Sequence, residues 1–210
     1  MDIAVLPEAS LDGYASPELD FDLTRFAEPL DGPACRALSD LARRHGCHLA
    51  GSWVERSADR CFNAMTVFDP DGTRVAHYRK RHPWYPERWA TPGDGAAAVF
   101  TVAGLRVTLA ICFDVHFLAN EAARELDQAD VLLFPSAWVD EDGDGRAEVL
   151  PPLARAFDVA IVNANWGPGV PRVRGQGGSR ILGPDGQLLA VSCGELRVDA
   201  ELLGKGRTRH

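Results

Sequence analysis

An apolar run that stops abruptly where a helix-forming segment begins is the feature that most constrains the fold. Residues 105–111 (LRVTLAI) are rich in β-branched and aliphatic side chains, which is typical of a buried strand. A polar segment follows, which Asp114 can cap and which continues as NEAAREL in residues 120–126. Cys112 lies at this corner. A thiol there is expected to face the positive end of a helix dipole, which lowers a cysteine pKa, although a lone cysteine is more often a buried core residue.

The rest of the chain alternates strand-like and helix-like segments. A short strand ends at Pro7, and a helix begins at Gly32-Pro33 and stops at Gly46. A second helix is predicted near residues 153–157. The other predicted strands are residues 47–55, 61–69, 73–79, 98–102, 131–138, 160–165, 179–183, 187–191 and 196–198. Strands and helices mixed with hairpins predict an α/β layered fold with a mixed sheet.

Composition narrows the class of protein. At 210 residues and 46% hydrophobic content, the chain suits a single domain, 1–210, with a sizeable core. The net charge of -8 disfavours nucleic acid and anionic membranes as partners, and no apolar stretch is long enough to span a bilayer. The five cysteines are odd in number and scattered, which favours a reducing cytoplasm over a disulfide scaffold.

Three local patterns carry candidate chemistry. Glu8 follows the first strand in LPEASLDGY, Lys80 follows another strand in HYRKRHPWYPERW, and Cys112 lies in ICFD. A carboxylate, an ammonium and a thiol are sufficient for amide hydrolysis, because the first accepts the thiol proton and the second stabilises the oxyanion. Taken alone, Glu8 is more often a solvated loop residue and Lys80 a surface charge. Spacing by itself does not establish that the three converge.

These three segments resemble the carbon–nitrogen hydrolase (nitrilase) superfamily, whose Glu-Lys-Cys triad lies in motifs of the same form and order. DVLLFPSAW, ARAFDVAIVNAN and GQGGSRILGPDGQLLA extend the similarity through nearly the whole chain. The resemblance implies a four-layer α-β-β-α sandwich with mixed sheets, in a homodimer or higher homo-oligomer. It implies Glu8 as general base, Lys80 as oxyanion stabiliser and Cys112 as nucleophile. It also implies that Glu87 orients lysine and substrate, and that the backbone N–H of Phe113 is a second oxyanion donor.

The implied reaction is a two-step acyl transfer through a Cys112 thioester that needs no metal and no organic cofactor. The expected substrate is a small linear amide, which is hydrolysed to a carboxylic acid and ammonia or an amine. A nitrile or an N-carbamoyl compound can use the same triad. An N-acyltransferase and a truncated, non-catalytic paralogue are further alternatives.

Other features have simpler interpretations. Trp138 ends a strand and is expected to line the pocket, although a core aromatic residue is nearly as plausible. His116 is expected to be a surface or supporting histidine rather than a partner of the nucleophile. The cluster from His45 to His48 alternates across a strand, which opposes metal binding. Residues 140–145 match only half of a calcium loop, and the glycines in residues 175–178 do not open a helix.

The chain start departs from the family pattern. Relatives normally carry a strand and a helix before the glutamate motif, whereas Met1 here falls within the strand that leads to Glu8. We therefore expect an N-terminally shortened domain, with three explanations: a misassigned start codon, a fragment, or a truncated relative without activity. Such a loss would expose edge backbone and apolar surface beside Glu8, and a targeting segment could be lost with it.

Overall fold

The first of two β-sheets contains the strands that precede Glu8 and Lys80. The computed structural model describes residues 1–18, 20–139, 144–167, 177–194 and 197–205. This sheet has the order β1-β2-β3-β4, with β1 parallel to β2 and the other pairs antiparallel. Its strands are β1 (Ile3–Val5), β2 (His48–Ser57), β3 (Arg60–Phe68) and β4 (Arg74–Arg79). Asp69 stabilises the β3–β4 turn, because its carboxylate accepts hydrogen bonds from the backbone N–H groups of Asp71 and Thr73.

The second sheet has six strands in the order β10-β9-β8-β7-β6-β5. Its central strands β6, β7 and β8 are parallel, and its outer pairs are antiparallel. Every residue of β7 is buried, as expected for a parallel strand covered on both faces. The strands are β5 (Phe100–Val102), β6 (Leu105–Leu109), β7 (Val131–Ser136), β8 (Ala160–Asn165), β9 (Arg180–Leu182) and β10 (Leu188–Val191).

Helices cover the outer faces of both sheets. The helices are α1 (Pro33–His45), α2 (Leu118–Glu121), α3 (Ala123–Gln128) and α4 (Gly145–Phe157), with 3-10 helices at Thr24–Phe26 and Cys112–His116. Pro33 occupies the first turn of α1, and Gly46 ends it with a φ of 59°, as the sequence predicts. None of the helices in the described part of the chain is long and apolar enough to cross a membrane.

Three apolar layers hold this arrangement together. Leu38 of α1 packs with Trp53 on the outside of the first sheet, and Leu126 and Leu150 pack outside the second. Between the sheets, side chains of β3 such as Met65 meet those of β6, β7 and β8. Each fully buried aliphatic or aromatic side chain contributes about 1.5–3 kcal/mol to folding. The result is the predicted α-β-β-α sandwich with mixed sheets, and its solved structural neighbours have the same fold.

Three predicted elements differ from the structure. The helix after Cys112 is divided into a 3-10 helix, α2 and α3, and the last two are separated by Ala122, which leaves the helical conformation. The helix predicted near residues 153–157 begins at Gly145 and includes Pro151 and Pro152, which hid its first turns from sequence analysis. The strand predicted at 196–198 is absent, since residues 197–198 form no regular element and residue 196 lies outside the described residues.

The candidate residues lie in segments that follow the ends of strands in both sheets. Glu8 follows β1, Lys80 follows β4, Cys112 follows β6 and Ala137 follows β7. β1 is an edge strand of the first sheet, and an open cleft of about 1690 Å³ borders it. Residues 140–143 of the acidic loop and residues 175–176 of the glycine-rich segment lie outside the described residues.

Candidate active site

A fully buried ammonium group bonded to two carboxylates forms the centre of the candidate site. Lys80 Nζ lies 2.7 Å from Glu8 Oε1, and 3.0 and 2.9 Å from the two oxygens of Glu87. The Glu8 and Lys80 side chains have no exposed surface, and that of Glu87 is 2% exposed. One positive charge therefore faces two carboxylates away from water. A buried charge group of this kind is tolerated only when its members are paired and hydrogen-bonded.

Neutral donors complete the hydrogen bonding of both carboxylates. The amide nitrogen of Asn63 donates to Glu8 Oε1 at 2.7 Å and to Glu87 Oε1 at 3.2 Å. Tyr14 donates its hydroxyl to Glu87 at 2.9 Å, and the backbone N–H of Ala137 donates to Glu8 Oε2 at 2.9 Å. These bonds fix the two carboxylates in one orientation toward Lys80.

The environment of Glu8 suits it to proton transfer near neutrality. Burial raises the pKa of Glu8 to about 7, and the negative charge of Glu87 adds to this rise while Lys80 opposes it. Burial disfavours the charged form of Lys80, but Glu8 and Glu87 outweigh it, so the pKa of Lys80 lies above its ordinary value. The lysine therefore stays protonated while Glu8 can exchange a proton.

Cys112 lies beside this cluster on the turn that follows β6. The charges of Glu8 and Lys80 act on its thiol in opposite directions, and the nearby Ala137 backbone N–H favours the ionised form. Burial, followed by the charge of Glu8, raises the pKa of the Cys112 thiol well above its ordinary value. The expectation that a helix dipole lowers this pKa is therefore wrong. Cys112 begins a five-residue 3-10 helix. Desolvation of the thiolate outweighs the stabilisation that the backbone N–H groups of this short helix provide.

Aromatic residues surround the nucleophile turn. The ring of Phe113 lies 5.0 Å from that of His116 and 5.9 Å from that of Phe117. His116 is exposed and its ring lies 5.9 Å from that of Trp138, which agrees with its predicted surface position. Trp138 is half-buried and packs against the core outside the second sheet. Its pocket role and the oxyanion role of the Phe113 backbone N–H stay predictions.

Besides the Trp84 backbone N–H, which donates to Glu87 Oε2 at 2.9 Å, three groups that contact the carboxylates are not among the predicted site residues. Asn63 is a polar residue inside the otherwise apolar strand β3, and such a residue is a signal for a buried polar contact. Tyr14 lies within the glutamate motif, but nothing local indicates that its hydroxyl reaches Glu87. The Ala137 backbone N–H has no sequence signal, because any residue except proline supplies one.

The family model described as carbon-nitrogen hydrolase matches residues 1–197. A hydrolase encoded in the pqqF 5' region of Pseudomonas protegens is 28% identical over 98% of this chain and 74% of its own length. N-carbamoylputrescine amidase of Arabidopsis thaliana is 28% identical over 80% of this chain. The chain spans only 64% of the length of that plant relative.

Solved structures give the same relationship. The crystal structure of an amidase from Nesterenkonia sp. is 25% identical, covers 91% of this chain and 73% of its own, and superposes with a TM-score of 0.79. Nit3 of Saccharomyces cerevisiae, a nitrilase-superfamily member, is 20% identical over 91% of this chain and 72% of its own, with a TM-score of 0.80, and so supports the fold alone. With a family model that matches nearly its whole length, the chain belongs to the carbon-nitrogen hydrolase family.

Proposed function

We propose that the protein hydrolyses a small linear amide through a thioester on Cys112. The observation that carries this proposal is the buried Glu8–Lys80–Glu87 cluster beside the thiol, in which a carboxylate with a pKa of about 7 adjoins a permanently protonated lysine. A proton acceptor and a fixed cation beside a nucleophile are the groups that acyl transfer requires. Relatives of this chain include amidases.

In the first half-reaction, Glu8 accepts the thiol proton as the Cys112 sulfur attacks the amide carbon. Because the thiol has a raised pKa, it is neutral at rest and depends on this base. The oxygen of the tetrahedral intermediate gains negative charge, which Lys80 Nζ and the Phe113 backbone N–H stabilise. The intermediate collapses when the C–N bond breaks and Glu8 returns the proton to the departing amine.

In the second half-reaction, water replaces the amine. Glu8 accepts a proton from the water, whose oxygen attacks the thioester carbon. The C–S bond then breaks, the sulfur is reprotonated by Glu8, and the carboxylic acid is released. Lys80 and the Phe113 N–H stabilise the second oxyanion as they do the first. Glu87 keeps the ammonium of Lys80 oriented, since both of its oxygens lie within 3.0 Å of Nζ.

The burial of the site favours a small acyl group. Glu8 and Lys80 have no exposed surface, and Cys112 is 8% exposed, so there is little room beside the sulfur. A Nesterenkonia amidase has been captured with the acetamide moiety of fluoroacetamide on its active-site cysteine. N-carbamoyl compounds are the second candidate substrate class, because three of the relatives are N-carbamoylputrescine amidases. A nitrile is a less favoured use of the same triad.

The test is a panel of short amides, nitriles and N-carbamoyl compounds incubated with the wild type, Cys112→Ala and Cys47→Ala. Cys47 is a matched control because it is also buried but lies between α1 and β2. We expect hydrolysis by the wild type and Cys47→Ala, none by Cys112→Ala, and an acyl mass on the peptide that contains Cys112. Amide hydrolysis that survives in Cys112→Ala would exclude the thioester mechanism.

The same reagents separate the alternative functions. An N-acyltransferase would give an N-acyl product when an amine is added, whereas a hydrolase gives the free acid. In a non-catalytic paralogue iodoacetamide would label Cys112 as slowly as the other buried cysteines, whereas a catalytic Cys112, deprotonated by Glu8, reacts faster than Cys35, Cys47 and Cys61. We further propose a homodimer or higher homo-oligomer, to be checked by light scattering, and a reducing cytoplasmic location, which the odd number of scattered cysteines favours.

A further inference from the structure

We propose that Asp114 is a positioning residue that holds Cys112 and Lys80 in register with each other. Its carboxylate is 1% exposed and takes no part in the proton transfers described above. It accepts hydrogen bonds from both the turn that carries the nucleophile and the chain that carries the lysine. This inference rests on the proposed function, because it assigns Asp114 to the same Cys112–Lys80 site.

Three donors converge on this carboxylate. On the nucleophile side, the backbone N–H of Ile111 donates to Asp114 Oδ2 at 3.0 Å. On the lysine side, the Tyr78 hydroxyl donates to Oδ2 at 2.8 Å and the backbone N–H of His82 donates to Oδ1 at 2.9 Å. Tyr78 and His82 lie two residues before and two residues after Lys80. The carboxylate therefore holds the chain on both sides of the lysine and connects it to the residue that precedes Cys112.

The nucleophile turn needs such support because its backbone is strained. Cys112 has a φ of 44°, in the left-handed region that non-glycine residues seldom occupy. A residue held there costs on the order of 1–3 kcal/mol and persists only when surrounding contacts fix it. Asp114 closes this turn twice, through its side chain to the Ile111 N–H and through its own N–H to the Ile111 carbonyl at 3.1 Å.

The lysine side has a comparable requirement. Two backbone hydrogen bonds, each 2.8 Å long, fix Lys80. The Lys80 N–H donates to the Asn63 carbonyl, and the Gly93 N–H donates to the Lys80 carbonyl. Gly93 sits so close that a Cβ there would lie 2.1 Å from the Arg79 carbonyl oxygen. The Asn63 bond fixes the lysine chain relative to β3 and the Gly93 bond fixes it relative to a later loop, whereas the Asp114 bonds fix it relative to the nucleophile turn.

The test compares Asp114→Asn with Tyr78→Phe and Asp130→Asn. An asparagine keeps one acceptor oxygen but turns an amide donor toward the N–H of His82 or Ile111, so at least one of the three bonds is lost. Tyr78→Phe removes one donor while it keeps the ring, and it carries the test if Asp114→Asn does not fold. Asp130 is a matched buried aspartate at the start of β7, bonded to Arg106 and to the Lys205 N–H, at the opposite end of the strand from the site.

For Asp114→Asn we expect kcat for the best amide to fall about tenfold to a hundredfold, with KM within about twofold of wild type, because misplaced reacting groups slow the chemical step. The acidic limb of the kcat/KM profile should move to higher pH, because Lys80 holds the pKa of Glu8 down and a displaced Lys80 does so less. The rate of iodoacetamide labelling at Cys112, relative to the exposed Cys193 in the same sample, should fall as well. Tyr78→Phe should show smaller changes in the same directions.

Asp130→Asn should lower the urea midpoint without moving the pH profile or the relative labelling rate. The inference is overturned if Asp114→Asn and Tyr78→Phe match wild type in pH profile and labelling, or if Asp130→Asn changes both as much. Failure of the proposed function is a different result, since it would appear as amide hydrolysis by Cys112→Ala. The labelling ratio does not depend on turnover and tests the position of Cys112 in either case.

Discussion

Two buried carboxylates, Glu8 beside the first sheet and Glu55 within it, have opposite pKa shifts. The pKa of Glu8 is raised to about 7, whereas that of Glu55 is lowered to about 2. Both side chains are almost fully buried, at 0% and 1% exposed. Burial raises the pKa in both cases, so burial alone does not explain the difference. The partners do: Glu55 bonds to His77 at 2.9 Å and to Arg79 through two nitrogens.

The number of carboxylates for each cation separates the two clusters. Glu55 is the single carboxylate bonded to Arg79 and His77 in its cluster, and the side chains of these two partners are 25% and 22% exposed. Glu8 shares the single, fully buried Lys80 with Glu87. Arg79 and Lys80 are consecutive residues, and because neighbouring residues of a strand point to opposite faces they serve different clusters. One β-strand end thus supports both a structural glutamate that is ionised at neutral pH and a glutamate that can exchange protons near pH 7.

The largest effect is expected from removal of the shared cation. Lys80→Met leaves Glu8 and Glu87 together without a positive charge, and we expect it to lower the free energy of unfolding at pH 7 by about 3–5 kcal/mol. Amide hydrolysis should fall by about 10³-fold, because an oxyanion donor is lost. The variant should be more stable at pH 5 than at pH 8, since Glu8, whose pKa rises further without the lysine, then takes up a proton. Urea unfolding at both pH values measures this.

Arg79→Met is the matched variant in the Glu55 cluster. Glu55 keeps His77 as a partner there, and the lost arginine is partly solvated, so we expect a cost of only about 1 kcal/mol and near-normal kcat. Equal losses of stability and activity in the two methionine variants would contradict the distinction between the clusters.

The pH dependence of activity should follow Glu8 alone. Glu8 must be deprotonated to accept the thiol proton, so kcat/KM should rise with pH, about tenfold per unit below pH 7, and level off above it. Glu55→Gln should give an overlapping profile, because that carboxylate is ionised throughout this range. A limb near the ordinary glutamate pKa of 4.5 in the wild type would contradict the environment described for Glu8.

A weaker effect is expected from the neutral donor between the carboxylates. Asn63→Ala removes hydrogen bonds from Glu8 and Glu87, so the pKa of Glu8 should rise further and kcat/KM at pH 7 should fall about tenfold. Thr66→Val on the same strand is the control, because Thr66 bonds to His77 and Trp53 in the Glu55 cluster. It should cost stability without moving the pH profile. A profile shifted equally by both substitutions would show that the clusters are not independent.

The sequence predicts the layers of the fold better than the electrostatics of the site. β2, β3, β7 and α1 are visible because apolar periodicity, Pro33 and Gly46 act locally. The motif resemblance likewise selects Glu8 and Lys80, although they are 72 residues apart. Most of α4 is not predicted from the sequence, because proline is usually excluded from helix interiors. Here Pro151 and Pro152 both lie within the helix.

The direction of the Cys112 pKa was missed for a different reason. A local argument includes the backbone N–H groups that follow Cys112 but not the second sheet that buries it or the Glu8 charge beside it. The same limit applies to Asn63, because its amide acts as a donor to two carboxylates that come from other segments of the chain. Residue types and strand ends can be obtained from local patterns, whereas pKa values depend on desolvation and on charges that only the folded chain brings together.

The smallest effect on activity is expected from Glu55→Gln, which should change stability and its pH dependence. The folded-state pKa of Glu55, about 2, lies below the ordinary value of 4.5, so ionised Glu55 stabilises the protein above pH 4.5, and this contribution is lost as the pH falls toward 2. We expect Glu55→Gln to cost about 2 kcal/mol at pH 7 and progressively less toward pH 3, with kcat unchanged. Urea unfolding of both proteins at pH 3, 5 and 7 measures the difference, and Asp69→Asn in the exposed β3–β4 turn controls for general acid effects. If the cost were constant with pH, Glu55 would not owe its low pKa to His77 and Arg79, and the contrast with Glu8 would need another cause.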